Sequence, residues 1–374
     1  MSALPQTESL TGIRYFAAAA VLMYHFVPVN HPLAWLFRDG WLGVPFFFVL
    51  SGAVLSYSYL PQFLERGTIL ASRFLALRFA RIYPCYLLAF VIGLGSFVTS
   101  QCRATGSCEA ATVRIVGGAA LYLSMIQAWL TTPWTSGVVV SPAWSLSCEW
   151  FYYVAFCPLL LTLRPALATG PAASWRGLLV ACGLIAACAG AEYALSSFYP
   201  TPIRNFWSDY FWRGPFGNFP YFLGGIFVGR LLRQPPATPM PPVALTAFAG
   251  FVAIIAIVCY PAEGIATSLK RVAILPATVV AIYGLGCGPS ILSRCLGLPV
   301  FSLLGEASYP LYMLQFPLED WLSFVLPAHS LVGALTRLIV YSAISVLVAV
   351  CFERPARDFI RKRLVAAGGS AIGR

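Results

Sequence analysis

Apolar runs of about 20 residues recur along the whole chain, and this pattern limits the possible folds more than any other feature. A helix needs roughly 20 apolar residues to cross the hydrocarbon core of a bilayer. Only 10% of the 374 residues are charged and 59% are hydrophobic, whereas about a quarter of a soluble domain is charged. The pattern excludes a soluble domain, a disordered chain and a secreted disulfide-rich scaffold. It predicts an all-α polytopic membrane protein.

Runs bounded by proline, glycine and charged residues predict about ten transmembrane helices. They cover residues 11–29, 42–60, 83–100, 149–163, 177–195, 216–230, 243–260, 272–287, 299–324 and 331–351. A weaker run, 113–130, is assigned by the positive-inside rule. If it does not cross, most lysines and arginines fall on the cytoplasmic side. We therefore expect both termini in the cytoplasm, and 113–130 to be re-entrant or to lie on the outer face.

The net charge of +11 comes from short loops and the C-terminal tail, so it indicates contact with anionic lipids and not with nucleic acid. Residues 1–352 are expected to form one membrane domain, and 353–374 a basic cytoplasmic tail on the inner leaflet. Most of the 11 cysteines lie in apolar segments, and no zinc-ligand spacing occurs, so no metal is expected. Cys102 and Cys108 share one predicted outer loop, and the sequence leaves open whether they form a disulfide.

Ionisable side chains at bilayer depth are costly, so each needs an explanation. Arg14 and His25 lie in the first predicted helix, about three turns and roughly 16 Å apart along its axis. They project from one face, which indicates a polar path through the domain. The alternative is that Arg14 reaches the headgroups and His25 is a satisfied interior histidine.

Three further segments carry polar groups. Glu149 follows Ser145 and Ser147 at the start of the fourth span, which fits either a capped first turn or a carboxylate beside His25 that orients a base. Arg78 and Arg81 share a helical face and can bind phosphate, or simply set the topology. The segment 304–317 places four polar residues in one predicted helix: Glu306, Ser308, Tyr309 and Gln315. Helix packing through polar residues explains their presence only in part.

Together these segments resemble the acyltransferase family 3 membrane proteins, which O-acetylate bacterial polysaccharides, lipopolysaccharides and some small molecules. The resemblance covers nearly the whole chain. It rests on Arg14 and His25, on the block 43–52 that ends in Ser51-Gly52, on Arg81-Ile-Tyr-Pro, on the block 144–152 around Glu149, and on the block 304–312. Two positions depart from the family pattern: Pro45 replaces an Asp or Ser, and Gln315 replaces a common His, which points to a different acceptor.

The resemblance implies a stand-alone, acyl-CoA-dependent O-acyltransferase of a bacterial inner membrane. The donor is acetyl-CoA, bound through Arg14, Arg78 and Arg81, and the acceptor is a hydroxyl of an extracytoplasmic or lipid-linked carbohydrate. His25 and Glu149 are the catalytic residues, with His25 either a general base or an acyl carrier. The residues implied in substrate binding come from the two late blocks: Trp144, Ser145, Ser147, Tyr152, Glu306, Ser308, Tyr309 and Gln315.

The main alternative is a secondary transporter or flippase for a sugar-containing substrate, because polar residues on buried helices also mark transport paths. The sequence has no internal repeat and no pair of broken helices in matching halves, which argues against that class. A membrane glycosyl- or phosphotransferase would need clustered aspartates for a metal, and the sequence has no such cluster.

Overall fold

The computed structural model describes residues 7–66, 71–130, 142–198, 201–233, 243–261, 265–326 and 330–369. These residues form helices and no strands, which confirms the all-α class. The α-helices are α1 (Thr7–Phe26), α2 (Gly43–Arg66), α3 (Ala71–Thr105), α4 (Cys108–Leu123), α5 (Ala143–Ala168), α6 (Pro171–Phe198), α7 (Thr201–Arg213), α8 (Pro215–Leu232), α9 (Val243–Cys259), α10 (Ile265–Gly286), α11 (Ile291–Leu296), α12 (Pro299–Leu322), α13 (Leu331–Val348) and α14 (Arg354–Gly369).

Six candidate membrane spans are long and apolar enough to cross a bilayer, and they make the chain a multi-pass membrane protein. They are 34–65, 71–105, 143–168, 171–195, 266–286 and 331–363. Helices α1, α8 and α12 are not among the six, because their polar side chains lower their mean hydropathy. The count of ten spans and the cytoplasmic position of both termini stay predictions.

Helix α3 is longer than the predicted span. The arginine run at 73–81, which lies before the predicted span 83–100, is helical and continuous with the apolar part of α3. Gly106, with a left-handed φ of 80°, turns the chain into α4, and a Cys102–Cys108 disulfide closes this turn. Helix α4 then runs back along α3. Near the end of α4, the Tyr86 hydroxyl of α3 donates to the Tyr122 carbonyl.

The start of α5 differs from the predicted capped turn. The helix begins at Ala143 without a side-chain cap, so Glu149 lies in its second turn. Ser145 and Ser147 are interior helical residues. The error has a physical cause: both hydroxyls bond to other groups, Ser145 to the Pro142 carbonyl and Ser147 to the amide of Ala128.

Close helix packing positions the elements around the polar centre. Glycines let α2 and α8 pack backbone to backbone: a methyl group built on Gly52 would lie 2.2 Å from the Phe222 carbonyl oxygen, and one on Gly225 2.1 Å from that of Val49. Small residues at helix crossings allow this approach in membrane proteins. Helices α1 and α12 meet in the same way at Gly305. Helix α2 is therefore held against α8 on one side and faces the cavity on the other.

Buried ion pairs join helices that are distant in sequence. Lys270 of α10 pairs with Asp39, and Arg271 pairs with Glu192 of α6. Arg337 of α13 pairs with Glu319 of α12 at 2.7 Å. Each pair satisfies charges that would otherwise be buried alone at a cost of several kcal/mol.

The C-terminal tail is continuous with the membrane domain. A π-helical turn, Ala349–Glu353, joins α13 to α14. Such turns occur often at functional sites because they re-aim side chains. The first turn of α14 packs on the cavity described below, so this part of the tail is more than a surface element.

Candidate active site

A cavity of about 340 Å³ lies between α1, α2, α3, α5, α12 and the start of α14, at the lower end of the usual size range of ligand sites. The polar residues that line it are Thr11, Arg14, Ser51, Arg78, Arg81, Ser145, Glu149, Tyr153, Glu306, Ser308, Tyr309, Tyr312, Glu353 and Arg357. Eight of the thirteen predicted site residues are in this lining. The cavity therefore unites most of the separate sequence motifs.

Arginine side chains make part of the cavity lining positively charged. No hydrogen bond or ion pair joins Arg14 or Arg81 to another described residue, although both face the cavity. Arg78 donates to the Tyr59 hydroxyl at 3.1 Å, and its buried Nε has no partner among the described groups. Arg357 adds a fourth guanidinium from α14. Guanidinium groups clustered around one cavity can form a site for an anion, and their planar forks match phosphate oxygens.

Glu149 lies on the wall formed by α5. Its Oε1 accepts a hydrogen bond of 3.0 Å from the Ser51 hydroxyl of α2 and another from the Tyr153 hydroxyl. These two donors fix the carboxylate, which is half-buried, in the cavity. The sequence predicts that Glu149 faces the cavity, and the structure agrees on this point.

Two more carboxylates line the cavity. Glu306 pairs with Arg354 at 2.7 Å, and both are partly exposed. Glu353 ends the π-helical turn and is 7% exposed, and its Oε2 has no hydrogen-bond partner among the described residues. Glu353 therefore offers an unused acceptor inside a mainly cationic cavity.

Tyrosines and serines also line the cavity. The hydroxyls of Ser145 and Tyr312 are 2.9 Å apart, and Tyr309 donates to the Ile82 carbonyl at 2.6 Å. Ser308 donates to the Gly305 carbonyl within its own helix. Their hydroxyls can contact a polar ligand in the cavity.

His25 lies outside the cavity lining. Its Nδ1 is 3.2 Å from Oε1 of Gln315, and Gln315 follows Tyr312 by one turn of α12. The sequence predicts His25 beside Glu149. In the described part of the chain, their hydrogen bonds instead go to different partners, Gln315 for His25 and Ser51 with Tyr153 for Glu149.

Trp144, Ser147 and Tyr152, also predicted to bind substrate, lie outside the lining. Trp144 packs edge-on against Phe48, and Tyr152 donates to the Pro215 carbonyl at 2.8 Å. Their described contacts are those of helix packing, and their role in substrate binding stays a prediction.

Six polar lining residues have no role predicted from the sequence: Thr11, Ser51, Tyr153, Tyr312, Glu353 and Arg357. Ser51 belongs to a motif block but also fits simple helix packing. Tyr153 follows Glu149 by four residues, which is the spacing of neighbours on one helical face, and this signal was available. Glu353 and Arg357 begin a basic stretch that is typical of a surface tail.

A family model for an acyltransferase domain matches residues 7–354, which is nearly the whole chain and includes the lining residue Glu353. The chain belongs to acyltransferase family 3.

Two curated relatives support the assignment. A protein named acyltransferase MdmB, from Streptomyces mycarofaciens, is 34% identical over 159 residues, which are 40% of this chain and 38% of that protein. Protein 2 in picA locus, from Rhizobium radiobacter, is 33% identical over 150 residues, which are 37% of this chain and 75% of that protein. The match thus spans less than two-fifths of MdmB. No solved structure matches the chain significantly.

The family model and the candidate spans together place an acyltransferase domain in a multi-pass membrane protein. The lining residues Arg14, Arg78, Arg81 and Glu149 lie within the matched residues.

Proposed function

We propose that this family 3 acyltransferase is an integral membrane O-acyltransferase of the bacterial inner membrane. It transfers an acetyl group from cytoplasmic acetyl-CoA to a hydroxyl of an extracytoplasmic or lipid-linked carbohydrate of exopolysaccharide or lipopolysaccharide. The observation that carries the proposal is the cluster of Arg14, Arg78 and Arg81 around a cavity that also holds Glu149.

The donor argument starts from charge. Coenzyme A carries a pyrophosphate and a further phosphate, and arginine is the side chain best suited to bind such groups. No ion pair or hydrogen bond joins Arg14 or Arg81 to another described residue, so a bound phosphate would supply a direct partner. Arg357 and the free acceptor of Glu353 lie in the same lining and extend the donor site.

Length supports the same assignment. Eleven residues separate Arg14 from His25, or about 16 Å along α1. An extended pantetheine arm is roughly 15–20 Å long on chain-geometry grounds. With its phosphates on the arginines, the donor could therefore present its thioester near His25.

The chemistry is a direct transfer in this proposal. His25 takes the proton of the acceptor hydroxyl, the hydroxyl oxygen forms a C–O bond with the acyl carbon, and the C–S bond breaks. The proton then passes from His25 to the leaving thiolate, so the histidine ends neutral. Glu149, fixed by Ser51 and Tyr153, supports the reaction through its negative charge and not through a direct hydrogen bond to His25.

Inverted membrane vesicles test this function. They are supplied with radiolabelled acetyl-CoA and a lipid-linked oligosaccharide fraction, and label in the glycan is measured. We expect label with the wild type and with His31→Ala, a matched histidine control in the loop after α1, but none with His25→Ala or Glu149→Gln. Equal label in wild type and His25→Ala would remove His25 from the chemistry. Substrate movement that ignores acetyl-CoA would favour the transporter.

A further inference from the structure

Gln315 is completely buried in α12 and is a hydrogen-bond partner of the imidazole of His25. We infer that Gln315 is a positioning residue that holds neutral His25 as the Nδ1–H tautomer and leaves the lone pair of Nε2 free to accept a proton. The tautomer follows from geometry alone. Its use in catalysis rests on the proposed function.

The first step is the orientation of the amide. Nε2 of Gln315 donates to the main-chain carbonyl of Tyr312 at 2.9 Å. A carbonyl oxygen can only accept, so the group that faces it must be the NH₂ of the amide. The other end of the amide, Oε1, therefore points to His25, where it lies 3.2 Å from Nδ1.

The second step is the state of the ring. An amide oxygen can only accept a hydrogen bond, so Nδ1 of His25 must donate. A neutral imidazole has one N–H, and when Nδ1 carries it, Nε2 has a free lone pair. A general base needs such a lone pair, so the Nδ1–H tautomer is the competent one if the acceptor hydroxyl approaches Nε2.

The third step is the restraint on the ring. Phe316 packs edge-on against the imidazole, with ring centroids 4.9 Å apart, and Tyr24 lies at the same distance on another side. Gln315 is itself held by its bond to Tyr312, whose hydroxyl lines the cavity. His25 is thus held against α12, which contributes Tyr312 to the cavity lining.

An amide suits this task for a chemical reason. It has no charge, so it selects a tautomer and stabilises the imidazolium less than a carboxylate would. A carboxylate at the same position would also accept from Nδ1–H, but it would stabilise the charged ring. This difference makes Gln315→Glu a conservative variant for the tautomer.

The test of the tautomer does not depend on activity. The chain has three histidines, so His31→Gln with His329→Gln leaves His25 alone. In ¹⁵N-histidine-labelled protein in lipid nanodiscs, NMR reports which ring nitrogen carries the proton. We expect the proton of the neutral ring on Nδ1. Gln315→Leu should move at least half of the signal to the Nε2–H form, and Gln315→Glu should keep Nδ1 protonated. An Nε2–H ring with Gln315 intact, or an unchanged spectrum with Gln315→Leu, would overturn the inference.

The kinetic test addresses the catalytic part. Gln315→Leu should lower kcat of acyl transfer at least tenfold while KM for acetyl-CoA changes less than twofold, and Gln315→Glu should restore part of kcat. The same change at the exposed Gln62 is the matched control, with kcat expected within twofold of the wild type. A shifted tautomer with unchanged kcat would refute the role in catalysis. The expected spectra with no transfer by any form would retain the tautomer and refute the proposed function.

Discussion

Gly225→Ala tests whether the backbone contact between α2 and α8 positions the active site. The methyl carbon would lie 2.1 Å from the Val49 carbonyl oxygen, whereas non-bonded heavy atoms need roughly 3.3 Å. The two helices must therefore separate by about 1 Å. Over-packing of this kind typically costs about 1–3 kcal/mol.

The same movement should reach the cavity. Ser51 and Leu55, one helical turn apart, both face the cavity from α2. The Ser51 hydroxyl is 3.0 Å from Oε1 of Glu149. A displacement of about 1 Å would take this contact beyond hydrogen-bond distance. We therefore expect Gly225→Ala to lower both the unfolding temperature and acyl transfer, although Gly225 lies outside the cavity lining.

Thermal unfolding in detergent micelles, followed by tryptophan fluorescence, measures the stability, and the vesicle assay measures transfer. Gly183→Ala and Gly190→Ala in α6 are the matched controls, because no atom lies within 4 Å of an added methyl group at either position. Both controls should behave as the wild type. A Gly225→Ala protein with unchanged unfolding temperature and transfer would refute the reasoning.

Three further predictions follow from particular contacts. Glu149→Gln should keep its hydrogen bonds to the neighbouring hydroxyls and unfold at the wild-type temperature, yet lose at least tenfold in transfer because the negative charge is gone; equal transfer would contradict the role of the charge. Arg337→Met should destabilise the protein by about 3–5 kcal/mol, because Glu319 would remain buried without its counter-ion Arg337. Adding Glu319→Gln should recover part of the lost stability. No recovery in thermal unfolding would count against the ion pair. Alkylation of unfolded protein should label two more thiols after reduction, and Cys102→Ser should abolish this difference; equal labelling of the unreduced and reduced wild type would show that Cys108 is free.

The helical elements are largely readable from the sequence because apolar length is a local property. Residues 299–324 predict a span, and α12 covers Pro299–Leu322. Helix starts are harder to predict. The serines before Glu149 have the pattern of a cap, but Ser145 bonds to Tyr312 and Ser147 to the amide of Ala128, and α5 begins earlier, at Ala143. Such partners are tertiary and cannot be found in a local pattern.

The site could be predicted in part for the same reason. Arg14 and Glu149 are conspicuous as charges at bilayer depth, and both line the cavity. Periodicity gives the face of a helix but not the partner opposite it, so the bond between His25 and Gln315 could not be derived. Arg357 was missed because a basic stretch at the end of a membrane domain is usually a surface tail.

The central claim is that the arginine-lined cavity binds the phosphates of acyl-CoA, and direct binding of acetyl-CoA to the purified protein tests it without any acceptor. We predict that Arg81→Gln and Arg14→Gln each weaken binding at least tenfold, and that Arg176→Gln, an exposed control in α6, changes it less than twofold. Binding should also weaken with added salt, as expected for charge pairing. Equal affinity of the wild type and both cavity variants would contradict the account, because the donor would then bind elsewhere.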